Sequence, residues 1–135
     1  MDCIFCKIAK KQIRANIIFE DKHSLAFLDN NPHTKGHTIV IPKEHGQTFF
    51  DISDNSNKEL MLSTKKTAKL IEQKLSCDGF NIGWNHNTAA GQVVPHLHVH
   101  IMPRYNNDNG GSMHSIINNP SNLSVNEVFK LFKSY

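Results

Sequence analysis

His96-Leu97-His98-Val99-His100-Ile101 decides the reading of this chain. Side chains alternate across a strand, so the three histidines share one face, and Leu97, Val99 and Ile101 share the other, which must meet a core. Three imidazoles on one face are costly to bury without partners, and a purely structural explanation needs a separate acceptor for each ring. A single metal ion holding all three is a further explanation. Along a regular strand, however, His96 and His100 stand roughly 13 Å apart, whereas zinc takes its nitrogens at about 2.1 Å. The histidines therefore divide their work between at least two roles. Just upstream, in Ala90-Gly91-Gln92-Val93-Val94-Pro95, Gly91 lets backbone N–H groups come close to a ligand and Gln92 adds side-chain donors. Donors beside a row of imidazoles make a phosphate cradle.

Working outward, Ile17-Ile18-Phe19 and Leu25-Ala26-Phe27-Leu28 read as strands across the polar turn from Glu20 to His23. Asn30-Asn31-Pro32 breaks the chain, and His37 to Ile41 is a third strand closed by Pro42. Beyond Ser53 the period changes: Leu60, Thr64, Ala68, Ile71 and Leu75 fall on one face of a helix that Asp78-Gly79 ends. Phe80 to Trp84 is a fourth strand, and His96 to Met102 is a fifth, stopped by Pro103. Asn85 to Gly91 and Asn106 to Asn119 read as loops, Cys3 to Lys11 and Asn126 to Tyr135 as short helices. The connections before Ile39 are too short for a βαβ crossover. The expected fold is therefore α+β: a five-stranded antiparallel sheet with one long helix and short terminal helices.

A chain of 135 residues with 39% hydrophobic residues fits a single domain, 1–135. The formal net charge of +3 suits a phosphate-bearing ligand but is too small to argue for nucleic acid, and no basic stripe is visible. No apolar run follows Met1, and no stretch approaches the ~20 apolar residues that span a bilayer. The expected location is the cytosol, with no membrane partner. Cys3, Cys6 and Cys77 are odd in number, and the Cys-x-x-Cys spacing argues against a secreted disulfide framework. In a reducing compartment Cys3 and Cys6 read as metal ligands or redox thiols, and Cys77 as a small packed side chain.

The alternating His-apolar pattern resembles the signature of the histidine triad (HIT) family of nucleotide hydrolases and transferases. Cys3-Ile4-Phe5-Cys6-Lys7-Ile8, Phe27-Leu28-Asp29, His37-Thr38-Ile39-Val40-Ile41-Pro42-Lys43, Gly91-Gln92, Arg104-Tyr105 and Gly110-Gly111-Ser112 resemble that family in matching order. The likeness covers nearly the whole chain and is greatest to the small phosphoramidase-like, bacterial-type branch.

The resemblance implies that His98 is the nucleophile toward the α-phosphorus, forming a covalent nucleotidyl-imidazole that water then cleaves, and that His100 contacts the phosphate oxygens. It places Asn85 and Gln92 on the phosphate and leaving-group side, Gly91 and Val93 as backbone contacts, and Asp29 on the ribose hydroxyls. Phe5, Ile8, Phe27 and Leu28 would wall a purine base, with a plain core role as the alternative; for Asp29 the alternative is a turn acid before Asn30-Asn31-Pro32. His37 is expected to support the active-site strand by hydrogen bonding. Some bacterial-type members hold a structural zinc ion, and the matching residues here are Cys3, Cys6, His45 and His96, a set that suits tetrahedral Zn²⁺. That gives His96 a role distinct from that of His98. Family members dimerise across a sheet edge, so a homodimer is expected. Three positions depart from the usual pattern. Val93 replaces a common hydroxyl residue, Asn30 a residue that is often apolar, and Pro95 a frequent aromatic. The function expected is hydrolysis of nucleoside 5′-phosphoramidates or related nucleotides. Dinucleoside polyphosphate cleavage and nucleotidyl transfer share the same nucleophile, and a non-catalytic, zinc-stabilised nucleotide-binding module is the alternative of a different class.

Overall fold

A computed structural model describes residues 2–133. Among them β1 (Ile17–Glu20), β2 (Ser24–Leu28), β3 (Thr38–Pro42), β4 (Gly79–Gly83) and β5 (Val99–Arg104) form one antiparallel sheet in the order β1-β2-β3-β5-β4. Three helices accompany it, α1 (Ile4–Ala9), α2 (Asp54–Leu75) and α3 (Val125–Leu131). The α+β expectation holds. No helix among the described residues is long and apolar enough to cross a membrane.

Period-2 alternation sorts the sheet into two faces. Ala26, Val40, Val99 and Ile101 point to one side and pack with Leu97 against Leu60, Ala68 and Ile71 of α2. Leu25, Phe27, Ile39 and Ile41 point to the other and pack against Cys3, Phe5 and Ile8 around α1. The register Val40↔Val99 and Ile39↔His100 puts the even-numbered residues of β5 on the α1 side. The histidines therefore lie on the face that α1 covers.

α2 starts where Ser53 Oγ accepts the Ser56 N–H at 3.1 Å, with Asp54 in the first turn to favour the positive helix end. Its buried face carries small residues, Ser63, Thr64, Thr67 and Ala68, which let the helix lie close to the sheet. The hydroxyls of Thr64 and Thr67 return to the Leu60 and Ser63 carbonyls at 2.8 and 2.7 Å, so none is buried without a partner. Gly36 sits at φ 88 against the Leu75 and Pro103 side chains, a backbone conformation that favours glycine.

Several boundaries differ from the sequence reading. α2 ends at Leu75 with left-handed Ser76 (φ 52), while Gly79, expected to end the helix, opens β4 opposite Arg104. The Asp78 N–H is already bonded to the Arg104 carbonyl at 2.8 Å, which commits the chain to the sheet. β3 starts after His37 and includes Pro42. β5 begins at Val99, not His96, because Pro95 lacks an N–H and the Leu97 N–H bonds the Gly46 carbonyl of a loop at 2.7 Å. The strand then continues through Pro103, beyond the last β3 pair, where a missing N–H is tolerated. Single 3-10 turns occupy Thr88–Ala90 and Met113–Ser115 inside the two expected loops. Of the expected last helix, Ser134 and Tyr135 lie outside the described residues.

Candidate functional site

The alternation expected of the triad survives the later start of β5: Leu97, Val99 and Ile101 are buried in the α2-side core, and the three imidazoles point away from it. Each ring has its proton fixed by a different partner. His96 is fully buried, and its Nε2–H donates to the Pro42 carbonyl at 2.9 Å, which leaves Nδ1 as a bare lone pair. His98 turns the other way. Its Nδ1–H donates to the His96 carbonyl at 2.7 Å, leaving Nε2 as the lone pair. His100 Nδ1 faces His37 Nε2 at 2.9 Å. His37 Nδ1 accepts the His33 backbone N–H at 3.2 Å, so His37 must carry its proton on Nε2 and donate it to His100. His100 in turn carries its proton on Nε2 and presents a donor. The triad thus offers three different functions on one face: a ligand lone pair, a nucleophilic lone pair and a hydrogen-bond donor.

Burial keeps these rings neutral. It is the largest cause of the lowered pKa of His98, opposed by the His96 carbonyl and Asp29. Burial, then the neighbouring His98 and His37, bring His100 down to about 4. His37, 1% exposed, is lowered by burial against the pull of Asp29, whose Oδ2 lies 3.6 Å from His37 Nε2. Asp29 also accepts the Asn31 N–H through Oδ1 at 2.9 Å, so one carboxylate shapes the turn and faces His37.

Phe5 stands edge-on to His98 with ring centroids 5.1 Å apart and to Phe27 at 5.6 Å. Phe5, Ile8 and Phe27 belong to one buried apolar cluster, and Leu28 is half-buried beside Phe27 on β2. The core role of the first three is therefore real, and Phe5 also borders the nucleophile. On the other side, Gly91 (φ 95) lies against the Asn85 side chain, leaving open space above its Cα. Gln92 is buried, and its amide is engaged: Nε2 donates to the Gln47 and Val94 carbonyls at 2.7 and 3.0 Å, and Oε1 accepts the Asn87 N–H at 2.8 Å. Here the side chain shapes the loop. Val93 is 89% exposed, so its side chain forms no wall in this conformation.

A second cluster lies behind His96. Cys3 Sγ is 3.4 Å and Cys6 Sγ 3.6 Å from His96 Nδ1, His45 Nδ1 is 3.1 Å from the same atom, and Cys6 Sγ is 3.3 Å from His45 Nδ1. All four donor atoms lie within 4.8 Å of one another. Tetrahedral zinc with sulfur at about 2.3 Å and nitrogen at about 2.1 Å needs donor separations of roughly 3.4–3.8 Å. The set fits with small adjustments, and the His96 Nε2–H···Pro42 bond supplies the outer-shell contact that metal-bound histidines carry. Without a cation, burial and the Cys3 sulfur beside it raise the Cys6 pKa. Asp29, His37 and His100 also lie within 4.8 Å. That trio is not built for a metal: a cation on His37 Nε2 would force the proton to Nδ1, against the His33 N–H.

Sequence reasoning missed the parts of the site that are backbone: the Pro42 and His96 carbonyls and the His33 N–H. It placed His37 in support of the strand without foreseeing that it sets the proton on His100. The spacing of His33 and His37, which follow Asn30-Asn31-Pro32 and flank Gly36, was the available signal.

Comparison with known proteins agrees with this geometry. The family model of the HIT domain matches residues 10–107. A HIT-like protein of Methanocaldococcus jannaschii is 42% identical over 131 residues, which cover 97% of this chain and 98% of that one. A Schizosaccharomyces pombe protein named adenosine 5′-monophosphoramidase is 41% identical over 110 residues, covering 82% of this chain and 80% of its own. A crystal structure described as a Zn-bound histidine triad family protein from Mycobacterium smegmatis superposes with a TM-score of 0.76 at 37% identity, over 81% of this chain and 79% of that one. The chain belongs to the HIT family of nucleotide hydrolases and transferases.

Proposed function

We propose that the protein hydrolyses the bond to the α-phosphate of nucleoside 5′-phosphoramidates or closely related nucleotides, with His98 as nucleophile. One observation carries the reading: the 2.7 Å bond from His98 Nδ1–H to the His96 carbonyl, which leaves Nε2 as a fixed, neutral, buried lone pair. His98 Nε2 attacks phosphorus, the Nε2–P bond forms, and the P–N bond breaks with its electron pair leaving on the protonated amine. The cation that develops on His98 is stabilised by the same His96 carbonyl. His100 Nε2–H donates to a non-bridging phosphate oxygen, a donor that needs no reorganisation because His37 fixes it. Water then attacks phosphorus from the side the amine left and gives its proton to the released amine, the P–Nε2 bond breaks, and its electron pair returns to His98. Asp29 receives the ribose hydroxyls, Asn85 and the Gly91–Val93 backbone line the leaving-group side, Gln92 holds that loop in place, and Phe5 with its neighbours Ile8, Phe27 and Leu28 borders the purine. The naming of the yeast relative as a phosphoramidase supports the substrate class.

Cys3, Cys6, His45 and His96 would hold a zinc ion, supported by the donor set and by the Zn-bound relative. When bound, the ion supplies a structural cross-link between the start of α1 and the residues leading into β5. The domain is read as 1–135 and the chain as a homodimer formed across the unpaired edge of β4.

The test is AMP release from adenosine 5′-phosphoramidate, compared with His98→Ala. The variant is expected to lose about 10⁴-fold or more in kcat. Turnover that survives in His98→Ala, or none from folded protein that still binds AMP, would overturn the reading.

A further inference from the structure

Phe49, Phe50, Trp84 and His86 form an aromatic cluster that the reaction described above does not use. Phe49 and Trp84 stand edge-on with ring centroids 5.3 Å apart, and both are half-buried against the α2-side core. Phe50 lies 4.7 Å from Phe49, and the His86 ring meets Phe50 and Phe49 edge-on at 4.8 and 5.7 Å. Phe50 is nevertheless 76% exposed. It is held in that position by its own turn. The Phe50 N–H donates to Thr48 Oγ1 at 3.2 Å, Asp51 Oδ2 accepts the Thr48 N–H and O–H at 2.9 and 3.0 Å, and the Asp51 N–H returns to the Thr48 carbonyl at 3.0 Å. An apolar ring fixed in water forgoes the gain of burial. Because its backbone is already ordered, it can take a planar partner at little entropic cost.

The two segments that carry these rings are the ones that border the leaving-group side. The Gly46 carbonyl accepts the Leu97 N–H at 2.7 Å, directly before His98. Gln92 clamps both segments: its Nε2 donates to the Gln47 carbonyl at 2.7 Å and its Oε1 accepts the Asn87 N–H at 2.8 Å. His86 follows Asn85, whose side chain lies against Gly91. The aromatic cluster therefore continues outward from the residues read as leaving-group contacts. Residues 46–52 and 84–95 contain no lysine or arginine, and Asp51 is the acid among them. A polyphosphate carrying a second nucleoside would find neither cation there. An amine bearing a flat aromatic group would find ring faces and edges.

We propose that Phe50 and His86 form a subsite for a planar aromatic group carried on the amine of the phosphoramidate, and so set the preference for the leaving group. The inference rests on the phosphoramidate reading above and deepens it. The chemistry at phosphorus is unchanged: the P–N bond breaks and the aromatic amine leaves with its electron pair and proton.

The experiment compares kcat/KM for adenosine 5′-phosphoramidate unsubstituted and substituted on nitrogen with ethyl, 2-phenylethyl or 2-cyclohexylethyl. The phenylethyl compound is expected to exceed the ethyl one by at least about 10-fold and to exceed the cyclohexylethyl one as well, because stacking adds to plain burial. Phe50→Ala should bring phenylethyl to within about 2-fold of ethyl while the unsubstituted compound keeps its rate, and Phe50→Trp should retain the preference. His86→Ala should reduce the preference about 3-fold. Each variant is first checked by a thermal melt, and should Phe50→Ala not fold, His86→Ala decides. No preference in the unaltered chain, a preference that survives both alanine substitutions, or a cyclohexylethyl compound as good as phenylethyl overturns the subsite and leaves the hydrolase standing. No turnover of the unsubstituted compound, or turnover that survives in His98→Ala, overturns the hydrolase and the subsite with it.

Discussion

At the scale of single residues, the triad shows how three identical side chains acquire three functions. The ring is the same each time; the difference is which nitrogen meets a backbone partner. His96 gives Nε2–H to Pro42, His98 gives Nδ1–H to His96, and His100 receives at Nδ1 from His37. Two predictions belong here. Burial lowers the pKa of His98 below the ordinary 6.5, so the nucleophile is inactivated only when pH falls below that value. A plot of log kcat/KM against pH should therefore bend downward with its acid limb centred below 6.5; a limb centred at or above 6.5 would contradict the assignment. His37→Leu removes the donor that fixes the His100 proton. We expect kcat to fall about 10²-fold with the fold intact, checked by kinetics beside a thermal melt; unchanged kcat would make His37 a packing residue only. The sequence showed that the histidines share a face and hence divide roles. It did not show the tautomers, because they depend on carbonyl groups brought in from Pro42 and His96 by tertiary structure.

At the scale of elements, the site depends on two joints. One is the cluster of Cys3 and Cys6 at the start of α1 with His45 and His96, which ties that helix to the residues entering β5. Stripping metal with a chelator should uncouple the two and lower the Tm by at least about 10 °C, measured by differential scanning calorimetry with and without added Zn²⁺. An unchanged Tm would show that the four side chains hold the joint without a cation. The other joint is Gly36, wedged at φ 88 between Leu75 and Pro103 just before His37. Gly36→Ala should cost about 1–3 kcal/mol in urea unfolding, and a cost near zero would contradict the packing described. The elements themselves were legible where periodicity was strong, as in α2 and β2. Their ends were less so. Gly79 was the obvious helix stop by composition, but the helix stopped earlier, at Ser76, because the Asp78 N–H is recruited by Arg104 on β5. β5 started late because the chain at Leu97 is held by Gly46, a contact 51 residues away that no local pattern records.

At the scale of the whole molecule, the sheet separates an α2-side core that supplies stability from an α1-side face that carries the chemistry. The latter buries neutral histidines, and this has a consequence for the fold. His37, His98 and His100 have folded-state pKa values below the ordinary 6.5, His100 at about 4. The unfolded chain therefore binds protons first as pH falls. The stability is fully present above 6.5 and is lost as pH drops through 6.5 toward 4, before the carboxylates Asp21 and Asp51, also lowered in the fold, add their own losses below their ordinary values. The Tm should fall between pH 6.5 and 4.5, and a flat profile there would contradict the burial of neutral rings. Antiparallel order and the position of the site were readable because connections were short and the histidine strand alternated. The exposure of Ile116, Ile117, Phe129 and Phe132 was not, because a segment rich in asparagine and glycine at its start reads as loop, and nothing local says what its isoleucines and phenylalanines are for.

The proposed reaction rests on a bond between His98 Nε2 and phosphorus. Rapid acid-free quench of a single turnover with adenosine 5′-phosphoramidate, followed by intact-mass and peptide mapping, tests it most directly. A transient mass increase of one adenylyl group is expected on the peptide containing His98, absent in His98→Ala. AMP formation without any adduct, or an adduct on another residue, would contradict it.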